Sequence, residues 1–446
     1  MIEKPAGLSR EETARREMDQ TVVSRTGALA LLLVFVLTLF GVPAVQTIEE
    51  WRTQRLSGQP LSAPQWCDAG NLPAEAMAVF RAESGGIRLS LFATNLFLQK
   101  ELRLYEKGLE DASVLGQRLM PPVQWALLSL GGVGNEQAFI GSDGWLFYRP
   151  DIEFVTGRGF LDPRVQRKRL LSAKAWETPP EPDPLGAIIE FRDRLARGGI
   201  NLLLVPVPAK PILEPRRFSL AAGAGEIDNP DTQALFSHLA EAGVDVIDVH
   251  AVLAAFRGSL DQPLYLRTDT HWRPEAMQAV AARIAAHLQD KGWLSGGRQE
   301  EFAGQTVAIT GTGDIAAMLK LPDGYTPFPP ETVTARRVSG PRNEPWRPDR
   351  SAEVMLLGDS MTNIYSLPSL GWGAQAGLAE QLSLTLQAPV DRLVRNDESA
   401  YATRQMFLGE WKADPERIAP KRVVIWQFAM RELAFGDWKR SPRPGF

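Results

Sequence analysis

Apolar residues in this chain fall into runs of different kinds, and their order predicts the architecture. The first run is continuous: no charged residue occupies 26–48, and 29–40 is almost wholly aliphatic or aromatic. At about 1.5 Å per residue, a helix of that length crosses a hydrocarbon core of about 30 Å. The second kind has helical spacing. Leu89, Phe92 and Leu96, then Leu98, Leu102 and Tyr105, predict an amphipathic helix, and a shorter one over 74–82 is closed by Gly85 and Gly86. From 138 onward, short apolar runs alternate with helical segments. A hairpin strand is predicted over 145–148, after the Asp143-Gly144 turn signal. Helices are predicted over 184–197, 233–242 and 274–290, the last with Pro274 in its first turn. Strands are predicted over 201–207, 244–248, 354–357 and 423–426, of which 201–207 carries the continuous apolar run of a strand buried on both faces. Strands alternating with helices predict a three-layer α/β sandwich with a mainly parallel sheet.

These runs divide the chain into a polar segment 1–25, a transmembrane helix 26–48, a stalk or connecting segment 49–137, and an α/β domain 138–446. Lys4, Arg10, Arg15, Arg16 and Arg25 precede the apolar run, whereas Glu49 and Glu50 follow it, with only Arg52 and Arg55 shortly after. The positive-inside bias keeps segment 1–25 in the cytoplasm and exports everything after the helix. A signal peptide cleaved near Pro43-Ala44 is the competing reading. The polar leader and the length of the apolar run favour a retained anchor. The tract Gly131-Gly132-Val133-Gly134-Asn135 reads as a turn, because no third glycine opens a helix at dinucleotide-loop spacing.

A net charge of −4 without a basic stripe argues against nucleic acid as partner. The single Cys67 excludes an intrachain disulfide and a Cys-x-x-Cys metal site. No cofactor or metal is indicated.

Candidate chemistry concentrates in two motifs. Gly358-Asp359-Ser360 follows the apolar Val354-Met355-Leu356-Leu357, as a strand ending in a tight turn that exposes a serine. Thr268-Asp269-Thr270-His271-Trp272 offers an imidazole with a carboxylate two residues away. A serine is a poor nucleophile unless an imidazole takes its proton and a carboxylate holds the right tautomer. Only four histidines are present. His238 and His287 lie within predicted helices, but Asp248 and His250 repeat the Asp-x-His spacing, so spacing alone leaves two candidate pairs. In open parallel sheets, ligands sit beyond the carboxyl ends of strands, and Ser360, Lys210 and Gln427 all closely follow strands. The plainer reading of the serine turn is that Asp359 and Ser360 cap the next helix. The second motif tips the balance toward catalysis. Helix N-terminal amides beside Ser360 would then be available to an oxyanion.

The pairing of Asp269-Thr270-His271 with a later Gly358-Asp359-Ser360 resembles the SGNH-hydrolase-like acetyltransferases of the alginate O-acetyltransferase type, the AlgX and AlgJ group. Further matching stretches are Gly141-Ser142-Asp143-Gly144-Trp145-Leu146-Phe147, Val205-Pro206-Val207-Pro208-Ala209-Lys210, Leu264-Tyr265-Leu266-Arg267 and Val423-Val424-Ile425-Trp426-Gln427-Phe428. Together they cover roughly 138–433. The resemblance implies an SGNH-like fold and a triad of Ser360, His271 and Asp269, with the flanking Tyr265, Thr268 and Trp272 selecting His271 over His250. Two departures concern the oxyanion hole. Asn396-Asp397-Glu398-Ser399-Ala400 lacks the expected glycine, and Gln427 or Arg431 stands where a Gly-x-Asn-Asp block would be. The order, with Asp-His before serine, is that of the alginate-type group.

Tyr365, Arg404, Trp426, Gln427, Arg431 and Lys210 are candidate substrate-binding residues, with the plainer readings of Trp426 as core, Arg404 as a solvated charge and Lys210 as a turn cap equally open. Aromatic faces stack on sugars, and arginine holds a uronate carboxylate. The implied activity is O-acetyl transfer to an exopolysaccharide through acetyl-Ser360. It would occur on a single-pass protein of a bacterial inner membrane with its catalytic domain in the periplasm. The implied partner is a membrane-bound O-acyltransferase that supplies acetyl groups. The same triad would serve a carbohydrate acetyl-esterase, and the same fold a non-catalytic scaffold of an export complex.

Overall fold

The computed structural model describes residues 24–172, 179–218, 227–258, 263–296, 300–396 and 399–440. The chain divides into two compact units, Met1–Met120 and Pro121–Phe446. In the first, the helix Arg25–Leu56 contains the whole of 26–48 and is long and apolar enough to cross a membrane. Ser24 caps its start by accepting from the Gly27 N–H at 3.1 Å. Leu29, Leu31, Phe35 and Phe40 are exposed along it. The helices Leu72–Ala82 and Ile87–Ala112 follow, matching the two predicted segments. Gln46 ties this unit together by donating to the Ala112 carbonyl at 3.1 Å and accepting from the Val114 N–H at 2.9 Å.

The second unit opens with a hairpin of β1 (Ala138–Ile140) and β2 (Leu146–Tyr148). Its centre is a parallel sheet of β3 (Asn201–Val207), β4 (Asp245–Val246), β7 (Val354–Gly358), β8 (Val390–Val394) and β9 (Val423–Ala429), in the order β4-β3-β9-β7-β8. Side chains alternate across it. Leu203, Val205, Leu356 and Ile425 pack with the helices Val249–Arg257, Pro274–Asp290 and Leu378–Leu386. Leu202, Leu204, Leu357 and Trp426 pack with Pro184–Arg197, Thr232–Glu241 and Ser399–Ala413. Helices on both faces bury β7 and β9 throughout and β3 beyond Asn201, which is why these three strands read as largely apolar runs, whereas β4 and β8 at the two edges keep half-buried positions. This is the predicted three-layer sandwich.

One predicted strand is shorter than its pattern. The stretch 244–248 pairs only over β4, because the Asp248 carboxylate turns to cap the helix Val249–Arg257, accepting from the Ala251 N–H at 2.9 Å. The main departure is a long antiparallel ribbon, β5 (Ala303–Gly311) with β6 (Glu331–Ser339), lying in sequence between the two motifs. Most of β5 is exposed and carries no sustained apolar face, so the hydrophobic pattern does not announce it.

Candidate active site

The Asp-His motif sits on a tight loop. Tyr265 bridges Trp272 in antiparallel fashion. The Leu266 N–H donates to the His271 carbonyl at 3.0 Å, and the Arg273 N–H to the Leu264 carbonyl at 2.8 Å. The inner end of the ribbon clamps this loop. Glu331 accepts from the Arg267 N–H at 2.8 Å and pairs with Arg273. On the other side, Gly313 approaches so closely that a Cβ there would lie 2.0 Å from the Thr268 carbonyl oxygen, so only glycine fits.

Within the loop, Asp269 is fully buried and His271 nearly so. Oδ1 of Asp269 lies 2.6 Å from Nδ1 of His271 and also accepts the His271 backbone N–H at 3.0 Å. Its Oδ2 accepts from Trp372 Nε1 at 2.8 Å and from the Asp314 N–H at 3.0 Å. Burial works against the carboxylate, but His271 and these donors outweigh it and hold Asp269 below its ordinary range. Burial also opposes charge on the imidazole. The carboxylate of Asp269, with those of Asp314 and Asp359 beyond it, wins, and His271 titrates above its usual value. The imidazole is thus oriented through Nδ1, with Nε2 unbonded among the described residues.

The serine turn is equally constrained. β7 ends at Gly358, where a Cβ would stand 2.2 Å from Thr362 Oγ1 and 3.0 Å from Gln427 Oε1. The Asp359 carboxylate accepts from the Met361 N–H and from Gln427 Nε2, both at 2.9 Å, and from the Ala429 N–H at 2.8 Å. Gln427 Oε1 in return accepts the Asp359 N–H at 3.1 Å and the Thr362 hydroxyl at 2.7 Å. Ser360 opens a single helical turn, Ser360–Asn363, and is partly exposed. That turn is short and its Met361 amide is already taken by Asp359, so the expected row of free helix N-terminal amides is not there. Asn363 Nδ2 reaches Asn396 Oδ1 at 3.4 Å, which places Asn396 beside the serine turn. Asp397 and Glu398 lie outside the described residues.

Two hydrogen bonds lock the motifs to one another. Trp272 Nε1 donates to the Met361 carbonyl at 3.0 Å, and the Tyr365 hydroxyl to the Trp272 carbonyl at 2.7 Å. Each bond joins the residue next to His271 with one just past Ser360. No hydrogen bond links the Ser360 hydroxyl to His271 among the described residues, a common condition in free enzymes whose catalytic contacts tighten on substrate binding. The rival histidine is elsewhere. His250 lies in the helix Val249–Arg257, and Asp248 is spent on that helix's cap.

Five of the six candidate substrate-binding residues are buried within the framework around the site. Trp426 is fully buried on the sheet face remote from the Asp-His loop, against Phe191, Phe428 and Trp438. Arg404 is fully buried and donates to the carbonyls of Ala187 and Lys439. Tyr365 and Gln427 are fully buried in the bonds just described. Lys210, also fully buried, donates to the carbonyls of Leu146 at 2.6 Å and of Arg267 and Asp269 at 2.9 Å. Its ammonium lies 5.0 Å from the centre of the Trp145 ring. Burial lowers its pKa to about 8 against the opposing pull of Asp269, Asp314, Glu214 and Glu331. Arg431 alone of the six keeps notable side-chain exposure, 20%. It pairs with the buried Asp151 at 3.0 Å and packs over the Tyr148 ring.

Asp314, Thr270 and Trp372 were not singled out from the sequence as site residues, although all three touch the Asp-His pair. Asp269, His271 and Asp314 present potential ligand atoms within 4.8 Å of one another. Every one of the four carboxylate oxygens, however, already accepts an N–H or O–H from the protein. A cation would compete with those donors and, at Nδ1, with the ring proton, so the donor set suits a hydrogen-bonded imidazole better than a metal centre.

A parallel sheet covered on both faces, with an Asp-His loop and a serine turn brought together by its strands and loops, defines an SGNH-type α/β fold. The chain belongs to the family described as "SGNH hydrolase-like domain, acetyltransferase AlgX", whose sequence model matches residues 138–430. Among curated relatives, the probable alginate O-acetylase AlgJ of Pseudomonas syringae pv. tomato is 26% identical over 312 residues, 69% of this chain and 73% of that protein. The AlgJ of Pseudomonas aeruginosa is 25% identical over 331 residues, covering 72% and 75%. The solved O-acetyltransferase domain of Pseudomonas putida AlgJ superposes with a TM-score of 0.50 at 20% identity, covering 67% of this chain and 93% of that domain. Family membership supports O-acetyltransfer as the chemistry.

Proposed function

We propose that the chain is a membrane-anchored polysaccharide O-acetyltransferase working through an acetyl-Ser360 intermediate. The observation that carries the reading is the buried Asp269–His271 contact at 2.6 Å, which orients an imidazole whose Nε2 is left unbonded. In the first half-reaction Ser360 Oγ attacks the acetyl carbonyl carbon while His271 Nε2 takes its proton, then passes it to the departing donor group. In the second, His271 removes the proton of a sugar hydroxyl. That oxygen attacks the acetyl-serine, and the serine oxygen leaves with the proton.

The names of the relatives favour an alginate-like polymer as acceptor, and the partly exposed Arg431 beside Tyr148 suits a uronate carboxylate. The helix Arg25–Leu56 supports a single inner-membrane anchor, with the α/β domain in the periplasm. A membrane-bound O-acyltransferase would supply the acetyl group.

The test is to trap the intermediate. The full chain in detergent, exposed briefly to a chromogenic acetyl ester, should carry an acetyl group on the peptide containing Ser360. Ser360→Ala should lose both adduct and turnover while keeping its fold. Added uronate oligosaccharide should accelerate loss of the adduct and receive the acetyl. Transfer to water alone with every glycan offered would make the protein an esterase, and an alanine variant that acetylates glycan at the normal rate would remove the covalent route.

A further inference from the structure

The environment of the Asp269–His271 pair contains a second carboxylate held in a specific relation to it. Asp314 Oδ1 accepts the Thr270 N–H at 2.8 Å, and Oδ2 accepts the Thr270 hydroxyl at 2.6 Å. That hydroxyl oxygen is in turn 3.1 Å from His271 Nδ1, while Asp314 Oδ2 itself stands 3.8 Å from the same nitrogen. Thr270 is 6% exposed, which shields its hydroxyl, while the Asp314 side chain is 34% exposed and meets solvent at its outer side.

The direction of the Thr270 proton gives the arrangement its meaning. Because the hydroxyl donates to Asp314, it can turn only a lone pair toward Nδ1. The Nδ1 proton then has two acceptors, Asp269 Oδ1 and Thr270 Oγ1, and the tautomer with its proton on Nδ1 is favoured. That tautomer leaves Nε2 able to take a proton. Were Asp314 unable to accept, the Thr270 hydroxyl would be free to point its proton at Nδ1, which favours the opposite tautomer. Asp314 is itself held in place, since its backbone N–H donates to Asp269 Oδ2 at 3.0 Å.

We infer that Asp314 is a positioning residue for the general base, acting through the Thr270 hydroxyl to fix the Nδ1–H tautomer of His271 and to stabilise its charged form. The inference rests on the reading of His271 as the base but can be tested apart from it. Charged and titratable groups around the imidazole are Asp269 on its own loop, Asp314 on the connection between β5 and β6, and Asp359 on the serine turn. Lys210 faces Asp269 from below, and Tyr148 on the hairpin feels Asp314. The single change Asp314→Asn removes one negative charge and one acceptor and leaves the others in place.

The experiment uses the full chain in detergent with nitrogen-labelled histidine, the His271 resonances being assigned by their loss in His271→Ala. In Asp314→Asn the His271 titration should move to lower pH, and its neutral form should shift toward the Nε2–H tautomer. Acetyl-ester turnover should fall about tenfold, with the acid limb of its pH profile displaced in the same direction. Thr270→Val, which keeps the backbone bond to Asp314, should shift the tautomer likewise, and the double variant should be no worse than the weaker single one. Unchanged titration and tautomer in both single variants would overturn the inference, as would a double variant in which the two effects add. If instead His271→Ala retains turnover while Asp314→Asn still moves the His271 titration, the positioning stands and the catalytic reading of His271 falls.

Discussion

Asp269 and His271, two residues apart on one loop, meet through a 2.6 Å contact while Trp372 and the Asp314 amide hold the other carboxylate oxygen. The carboxylate therefore cannot rotate away from the ring. Replacing His271 by alanine should lower acetyl-ester turnover by about 10³ or more, and Asp269→Asn should be severely impaired without unfolding, because an amide at that position accepts the wrong tautomer. His250→Ala should retain most activity, since Asp248 serves a helix cap. Steady-state kinetics of the three variants decide the matter, and an active His271→Ala would reject the assignment.

The same contact fixes a pH dependence. His271 is held above its ordinary value, and only the neutral ring accepts the serine proton. The acid limb of the rate profile should therefore lie above pH 6.5, and activity should rise as pH increases through it. Stability runs the other way for this group. Its contribution is fully present below the unfolded value near 6.5 and is lost as pH rises through the folded value. Rate profiles and denaturation curves of wild type and His271→Ala separate the two effects.

How much of this could be read from the sequence depended on how local each relationship is. The run at 201–207 was legible because a strand buried on both faces excludes polar residues. Asp269 and His271 were legible because they are neighbours in the chain. Asp314 and Trp372 come from distant segments, Asp314 from the connection that follows the exposed β5, a strand without an amphipathic signature, so only the fold reveals them. Trp426 and Gln427 illustrate another limit. They are consecutive in β9, so they face opposite sides of the sheet, and their motif does not say which side adjoins the serine. Lys210 follows its strand closely, as expected, but folds inward onto three carbonyls rather than outward.

That inward lysine predicts a stability effect. Lys210→Met would leave the carbonyls of Leu146, Arg267 and Asp269 without their donor, at a cost of about 2–4 kcal/mol near neutral pH. The folded state releases the Lys210 proton near pH 8 and the unfolded chain near 10.4. Between these values the unfolded state binds more protons, so the contribution of Lys210 to stability should increase with pH across that window. Chemical denaturation of both forms at several pH values tests this; a variant of unchanged stability would show that the ammonium is dispensable to the loop.

The serine turn predicts a steric effect distinct from the electrostatic ones. A methyl at Gly358 would stand 2.2 Å from Thr362 Oγ1 and 3.0 Å from Gln427 Oε1. Thr362 and Gln427 cannot both yield without breaking the bonds that hold Asp359 and the end of β7. Gly358→Ala should therefore cost about 1–3 kcal/mol and reduce turnover far more than a surface change would. Gln427→Leu should reach the same end by another route, since it leaves the Thr362 hydroxyl and the Asp359 amide without an acceptor. If either variant keeps wild-type kinetics, the turn does not depend on that contact.

A last prediction concerns metal. Asp269, His271 and Asp314 have the residue types of a metal site and sufficiently close donor atoms. The two readings differ in where the protons are. As a metal centre, the carboxylates and Nδ1 would face the ion and shed their protein donors. As a hydrogen-bonded base, Asp269 keeps the His271 N–H, Trp372 and Asp314 donors, and Asp314 keeps both groups of Thr270. The bonded arrangement predicts that prolonged dialysis against a chelator leaves acetyl-ester turnover within about twofold of the untreated protein, because no protein donor need be replaced. Added zinc should inhibit by binding the unbonded Nε2 of His271, the nitrogen that would otherwise take the serine proton. Loss of turnover on dialysis with recovery on metal addition would instead assign these three residues to an ion.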